Sequence, residues 1–403
     1  MPIATDSPLT TVQAAEAAHV LQTYKRQPVV FVRGEGVWLV DDQGRRYLDF
    51  LSGIGVNVLG HAHPALVDVV REQVGTLVHT SNLFFHPYQA PLAERLTTAS
   101  GLPRAFFCNS GAEAVEGCLK FARRFWYTAG TPRRQFIAFE RGFSGRTMGA
   151  LSTTWDAHYR DPFGPLVPDV RFVSNEDPAD LLSAVSENTA AIIAEPIQGE
   201  GGVRPLPPQI VAAINEACEK TGALYIADEV QSGLGRTGQL FHFEALGLKP
   251  DLIAIGKALG AGIPIGAVLL SERVAASISA GDHGTTYGGN ALACRAGIAV
   301  MDTLAQGLLD HVRTVSRAFE AALRALAEKH PMVVEVRGAG LMQGLVLDRD
   351  AAPVVPAALE RGLIVNRTAE RVVRMLPPYV ITESEIAEGL TRLDAALTAV
   401  EGA

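Results

Sequence analysis

Five short runs, Ala105–Cys108, Phe136–Phe139, Val170–Val173, Ala190–Ala194 and Gly266–Leu270, read as apolar throughout rather than alternating. A strand with one face in water alternates; a strand covered on both faces does not. Helical patterns separate these runs from about residue 65 to residue 285. Together they predict an α/β chain, a mostly parallel sheet covered by helices. A sixth run, Ala223–Ala227, ends on Asp228, and Lys257 follows roughly thirty residues later in Ile255-Gly256-Lys257-Ala258-Leu259-Gly260. Strand ends of such sheets are where ligands bind.

The remaining chain divides by pattern. Residues 1–30 read as a helix and a linker ending near Pro28, and Val37–Asp49 as strand, turn, strand with Asp-Gln-Gly at the tip. Ser52–Asn57 is a glycine-punctuated loop, and His61 and His63 lead into a helix at Pro64 rather than a metal site, which needs three or four ligands. Beyond residue 290, helical stripes (Leu308 to Leu326, Ile386 to Leu397) flank two strand-like stretches, Arg337–Met342 and Val372–Leu376. Thr382 and Glu385 have capping-box spacing. The expected division is an N-terminal segment, 1–60, belonging to a small α+β domain; a large domain, 61–290; and a C-terminal small domain, 291–403.

Composition narrows the function classes. The 403 residues are 48% hydrophobic and 19% charged, enough for a sizeable core in two or three domains. The formal net charge is −8 and no basic run stands out, which argues against a nucleic-acid partner. The expectation is also of no signal peptide, and of no apolar run long enough to span a bilayer. Cys108, Cys118, Cys218 and Cys294 form no CxxC pair and read as buried thiols of a reducing compartment, hence the cytoplasm.

Several motifs can carry chemistry. A buried Asp228 needs a cationic partner, and a protonated pyridine nitrogen is one. A lysine among small apolar residues loses hydration, so its amine is freed to attack carbonyls. By spacing alone a turn-capping aspartate and a surface lysine read the same way. Asn109-Ser110-Gly111-Ala112-Glu113 follows a strand and opens a helix, so its uncovered backbone N–H groups suit a phosphate. In Arg141–Thr147, Phe143 could stack on a flat ring and Arg146 could hold a carboxylate. Glu195 and Glu200 close the Ala190–Ala194 strand, with Arg374 a candidate partner for Glu200. Gly284–Asn290, with Thr285 and Thr286, again suits phosphate. Gly260–Gly266 precedes a strand and holds Pro264, so it lacks the context of a dinucleotide fingerprint.

Together these motifs resemble the class III aminotransferases of fold type I, the ornithine aminotransferase-like group. The resemblance runs from about Tyr24 to the C-terminal helix, and is most specific at Asp228–Gly238, Pro250-Asp251 and Gly256–Gly260. It implies the cofactor pyridoxal 5′-phosphate, bound covalently by Lys257 and paired through its pyridine nitrogen with Asp228. Ser110, Gly111, Ala112 and Thr286 would hold its phosphate, Thr286 reaching in from a second subunit of a homodimer. Val230 would back the ring, Gln231 lie near its hydroxyl, and Phe143 stack on its open face. Tyr24, Arg146 and Glu195 would bind substrate, while Glu200 and Arg374 form a movable gate. Gly53–His61 and Ser81–Leu83 look most like acetylornithine aminotransferases, where a glycine at 53 leaves room for an acyl group. That implies transfer of the terminal amino group of N-acetylornithine to 2-oxoglutarate, giving N-acetylglutamate 5-semialdehyde and glutamate, in arginine biosynthesis. Arg146–Ser152 also resembles relatives acting on carrier-protein-linked substrates. Ornithine, 4-aminobutyrate and an aminomutase reaction are the other readings.

Overall fold

The computed structural model describes residues 9–402. Its centre is a seven-stranded sheet: β1 (Arg104–Cys108), β2 (Gln135–Phe139), β3 (Val170–Val173), β4 (Thr189–Ala194), β5 (Leu224–Asp228), β6 (Leu252–Ile255) and β7 (Gly266–Leu270). The spatial order is β1-β7-β6-β5-β4-β2-β3. Only β7 runs against the others, so the sheet is mostly parallel as expected. Strands β4 to β7 are buried along their whole length, because helices cover both faces. The edge strand β3 differs: Arg171 is exposed and only Val173 is buried, so its run is not apolar throughout. Strand β6 carried no separate signal, being four residues before the Gly256-Lys257 turn.

Register decides where the site lies. Asp228, the last residue of β5, pairs with Ala254 of the parallel β6. The chain leaves β6 at Ile255 and reaches Lys257 two residues later, so acid and lysine emerge at the same carboxyl edge of the sheet. Helix α1 (Gly111–Thr128) starts at that edge from β1; it buries Ala114, Val115, Cys118, Leu119, Phe121, Ala122 and Trp126 on one face, the helical spacing seen in the sequence.

A second, antiparallel sheet contains β8 (Val333–Ala339), β9 (Met342–Leu347), β10 (Asn366–Thr368) and β11 (Val372–Met375), in the order β8-β9-β11-β10. Arg337–Met342 is therefore not one strand. Gly340, at φ 59°, turns the chain between two. Helix α3 (Leu309–Ala327) packs on this sheet and α4 (Glu383–Glu401) on α3, and Thr382 and Glu385 form the capping box. A third sheet pairs Phe31–Glu35, Trp38–Asp41 and Arg46–Asp49 with Leu363–Ile364 of the C-terminal part. Helix α2 (Ala291–Thr303) packs on Pro64–Val74 and Gln89–Ser100. By length and composition the stretch Ala291–Ala327 could cross a membrane, which the sequence reading did not anticipate. In the fold it is broken at Gly307, φ 118°, and buries Ala293, Cys294, Val300, Val312, Val315 and Phe319 in the protein core. All four cysteines are free, and no cluster of three metal-ligating side chains exists among the described residues.

Candidate active site

Asp228 is 4% exposed and accepts a hydrogen bond from the Val230 N–H at 3.1 Å. Burial raises its pKa, while the Val230 N–H and the Lys257 charge pull it down. It forms no ion pair among the described residues, so a buried carboxylate is left wanting a cation. Lys257 sits at φ 36°, a left-handed conformation that a side-chain-bearing residue adopts only under constraint. Burial lowers its pKa, against the carboxylates of Glu200, Asp228 and Glu195. That direction favours the neutral, nucleophilic amine.

Both loops meet the start of α1. A Cβ on Gly256 would lie 2.9 Å from the Gly111 nitrogen, and one on Gly111 would lie 2.5 Å from a Val230 methyl. Only glycines allow this approach. Ser110 caps α1, its Oγ accepting from the Glu113 N–H at 3.2 Å. Glu113 in turn accepts from the Asn109 N–H at 2.7 Å. The Gly111 and Ala112 N–H groups have no hydrogen-bond partner among the described residues, as at a helix start. Thr285, not Thr286, is tied to Asn109, at 3.1 Å. Thr286 is exposed and makes no hydrogen bond among the described residues.

Two acids differ in role. Glu195 is turned inward and accepts from the backbone N–H of Phe143 at 3.0 Å and of Gly199 at 2.9 Å. Burial, with Asp228 nearby, raises its pKa. Each of its oxygens holds one loop and keeps a second lone pair. Glu200 lies 2.6 Å from Arg374 Nη1. Burial alone would raise the Glu200 pKa, but Arg374, followed by Lys257 and Gln231, holds it below the ordinary range. Arg374 is fully buried and also donates to Gln231 Oε1 and Asn366 Oδ1, each at 3.1 Å. Gln231 is thus engaged by the arginine.

The outer wall is a cleft of about 840 Å³ whose lining includes Phe143, Tyr159, Glu200, Gly201 and Thr368. The exposed Arg146 guanidinium lies 3.6 Å from the centre of the Tyr159 ring and 5.7 Å from that of Phe143. It forms no ion pair among the described residues. Tyr24 is not brought to this cleft; it is 74% exposed, with Arg26 beside its ring. Tyr159 and Asn366 escaped the sequence reading, since neither sits in a recognisable motif.

The family whose description is Aminotransferase class-III matches residues 20–397. The chain belongs to the class-III aminotransferases. This aminotransferase is 47% identical to the acetylornithine aminotransferase of Archaeoglobus fulgidus, over 92% of this chain and 96% of that one. It is 45% identical to the acetylornithine aminotransferase of Aquifex aeolicus, over 93% and 98%. Its fold superposes on the ornithine aminotransferase of Toxoplasma gondii with TM-score 0.93 and 33% identity, covering 99% of this chain and 96% of that one. The cofactor of the class, pyridoxal 5′-phosphate, fits the residues present. Asp228 is a buried acid without an ion-pair partner, Lys257 is a desolvated amine, and the start of α1 offers free N–H groups to an anion.

Proposed function

We propose that this aminotransferase moves the terminal amino group of N-acetylornithine to 2-oxoglutarate, with pyridoxal 5′-phosphate as cofactor, in arginine biosynthesis. The observation that carries the reading is the contrast between two arginines: Arg374 is buried and covered by Glu200, while Arg146 is exposed, stacked on Tyr159 of the cleft wall and without an acid partner among the described residues. A donor with a distant carboxylate uses Arg146 alone; a dicarboxylate acceptor displaces Glu200 and uses Arg374 as well. Discrimination follows because a wrong ligand leaves a buried charge unpaired. The two acetylornithine aminotransferases above support the same donor.

When bound, the cofactor draws off electron density as the amino group is transferred. The chain supplies the rest. Asp228 would hold the counter-charge at the pyridine nitrogen. The N–H groups at Gly111 and Ala112, with Ser110, would hold the phosphate, and Val230 and Phe143 the ring. The Lys257 Nζ would accept and return the transferred proton, its lowered pKa suiting it as base and acid. Gly53 is exposed at φ 63°, next to Ser52, whose hydroxyl donates to the Leu376 carbonyl two residues beyond Arg374. A Cβ at Gly53 would lie 3.3 Å from the Asn57 side-chain nitrogen, so the glycine spares room that a larger residue would take.

The working unit we infer is a homodimer. Leu83, Phe84, Phe85 and Tyr287 are each more than 60% exposed, and Asn82 donates to the Thr285 and Gly288 carbonyls, so this apolar surface adjoins Thr286. A second copy covering it would receive Thr286 at its phosphate end. The free thiols favour a cytoplasmic setting. The division at residues 60 and 290 is supported by the separate sheets, although α2 packs on Pro64–Val74 and Gln89–Ser100 of the large domain.

A donor panel with 2-oxoglutarate tests the function. N-acetylornithine should have the highest kcat/KM, above ornithine and 4-aminobutyrate. A panel led by free ornithine, by 4-aminobutyrate or by a carrier-protein-linked amine removes the donor assignment. Amino transfer without any keto acid would instead indicate an aminomutase.

A further inference from the structure

The loop that carries Arg146 is held from a distance. Arg146 is followed by Thr147, the N-cap of the short helix Met148–Ser152, and the Thr147 side chain makes no capping bond. The cap comes from α1. Glu116 Oε1 accepts from the Thr147 hydroxyl at 2.6 Å, the Gly149 N–H at 2.7 Å and the Ala150 N–H at 3.2 Å. A carboxylate at the positive end of a helix, taking its orphaned N–H groups, is favourable on both counts. The fit is close enough that a Cβ on Gly149 would collide with the Glu116 carboxylate. A second contact lies on the other side of Arg146. Gly145 has φ 138°, and a Cβ there would be 2.9 Å from Ala112 Cβ and 3.0 Å from Ala150 Cβ.

Ala112 is in the first turn of α1, the end that would hold the phosphate, and Glu116 lies further along the same helix. One rigid element therefore sets both ends of the bound molecule: the anion cradle at its start and, through Glu116, the loop with Arg146. We propose that Glu116 is a positioning residue that fixes the distance from the cofactor cradle to the Arg146 guanidinium, and so the length of amino donor the enzyme accepts. The proposal rests on the reading of Arg146 as the carboxylate anchor. Groups held on helices are placed more accurately than groups on free loops. A misplacement of about 1 Å can cost a factor of about a hundred.

The test uses holoenzyme variants Glu116→Ala, Glu116→Gln, Gly149→Ala, Arg146→Ala and the double variant Arg146→Ala/Glu116→Ala. The readouts are KM and kcat for N-acetylornithine and for its homologues one methylene shorter and longer. The dissociation constant of Nα-acetylnorvaline, which lacks the reacting amine, is measured by calorimetry. Glu116→Ala should raise KM and that dissociation constant about tenfold, change kcat by less than threefold, and flatten the preference among chain lengths. Glu116→Gln keeps an acceptor oxygen and should recover most of the loss. Gly149→Ala should copy Glu116→Ala without touching the glutamate. In the Arg146→Ala background, Glu116→Ala should add no further loss, because residues acting through one another are not additive. Additive losses, or an unchanged chain-length preference in Glu116→Ala, overturn the proposal while the anchor stands. An Arg146→Ala enzyme with unchanged KM and dissociation constant overturns the anchor and the proposal together.

Discussion

Glu200 Oε1 and Arg374 Nη1 are 2.6 Å apart, and the two ends of that pair are unequally exposed: the Arg374 side chain is 1% exposed and that of Glu200 36%. The arginine is fixed by Gln231 and Asn366, on separate elements, whereas Glu200 lies in the loop after β4. The acid is therefore the half of the pair that can leave.

Replacing Glu200 by Ala should uncover Arg374 permanently. The kcat/KM for glutamate relative to N-acetylornithine should rise about tenfold, read in single-turnover half-reactions. The buried arginine keeps two neutral acceptors and the Glu200 side chain is 36% exposed, so the stability loss should be about 1–3 kcal/mol, below that of a fully buried pair. An unchanged donor ratio would remove the gate.

Lys257→Ala should fold normally by circular dichroism and lose turnover by at least a thousandfold. Asp228→Asn should retain the Val230 hydrogen bond yet weaken cofactor binding about tenfold or more, because the pyridine nitrogen loses its counter-charge. Near wild-type turnover in the lysine variant, or unchanged cofactor affinity in the aspartate variant, contradicts the assigned roles.

Subunit exchange addresses Thr286. Mixing Lys257→Ala chains with Thr286→Ala chains should restore activity, since each heterodimer rebuilds one intact site. If labelled subunits demonstrably exchange and activity stays at the level of the parents, Thr286 serves its own chain.

His330 gives a pH dependence outside the site. It is 3% exposed and meets Asp394 at 2.8 Å and Glu401 at 2.9 Å, tying the end of α3 to α4. Burial opposes its charge, but the two carboxylates win and raise its pKa. A folded pKa above the unfolded value of about 6.5 means stability that is full below pH 6.5 and lost as pH rises through the folded pKa. Asp394, held low by the same histidine, loses its share only as pH falls through its depressed pKa. The urea midpoint of wild type minus that of His330→Gln should therefore be larger at pH 5.5 than at pH 9. A difference that is flat or grows with pH would mean the histidine is held neutral.

The α/β class and the aminotransferase class were legible in the residue pattern alone. Strands buried on both faces must be apolar, and an acid closing such a strand, or a lysine among glycines and alanines, stands out against them. Ser110, Gly111 and Ala112 were legible because a capped helix start has a local signature. Partnership was not. Glu195 and Glu200 are five residues apart in one loop, yet one binds two backbone N–H groups and the other an arginine of β11. Nothing in their residue types separates them; the direction of the loop after β4 does. Tyr24 lay within the resemblance but stands exposed in the fold, away from the cleft. The placement of Asp228 beside Lys257 depends on the parallel register of β5 and β6, and the support of Arg146 by Glu116 on helix–loop packing. Local residue chemistry is carried by short-range pattern, but distances between groups far apart in the chain are set by which elements pack together, and only the tertiary structure decides that.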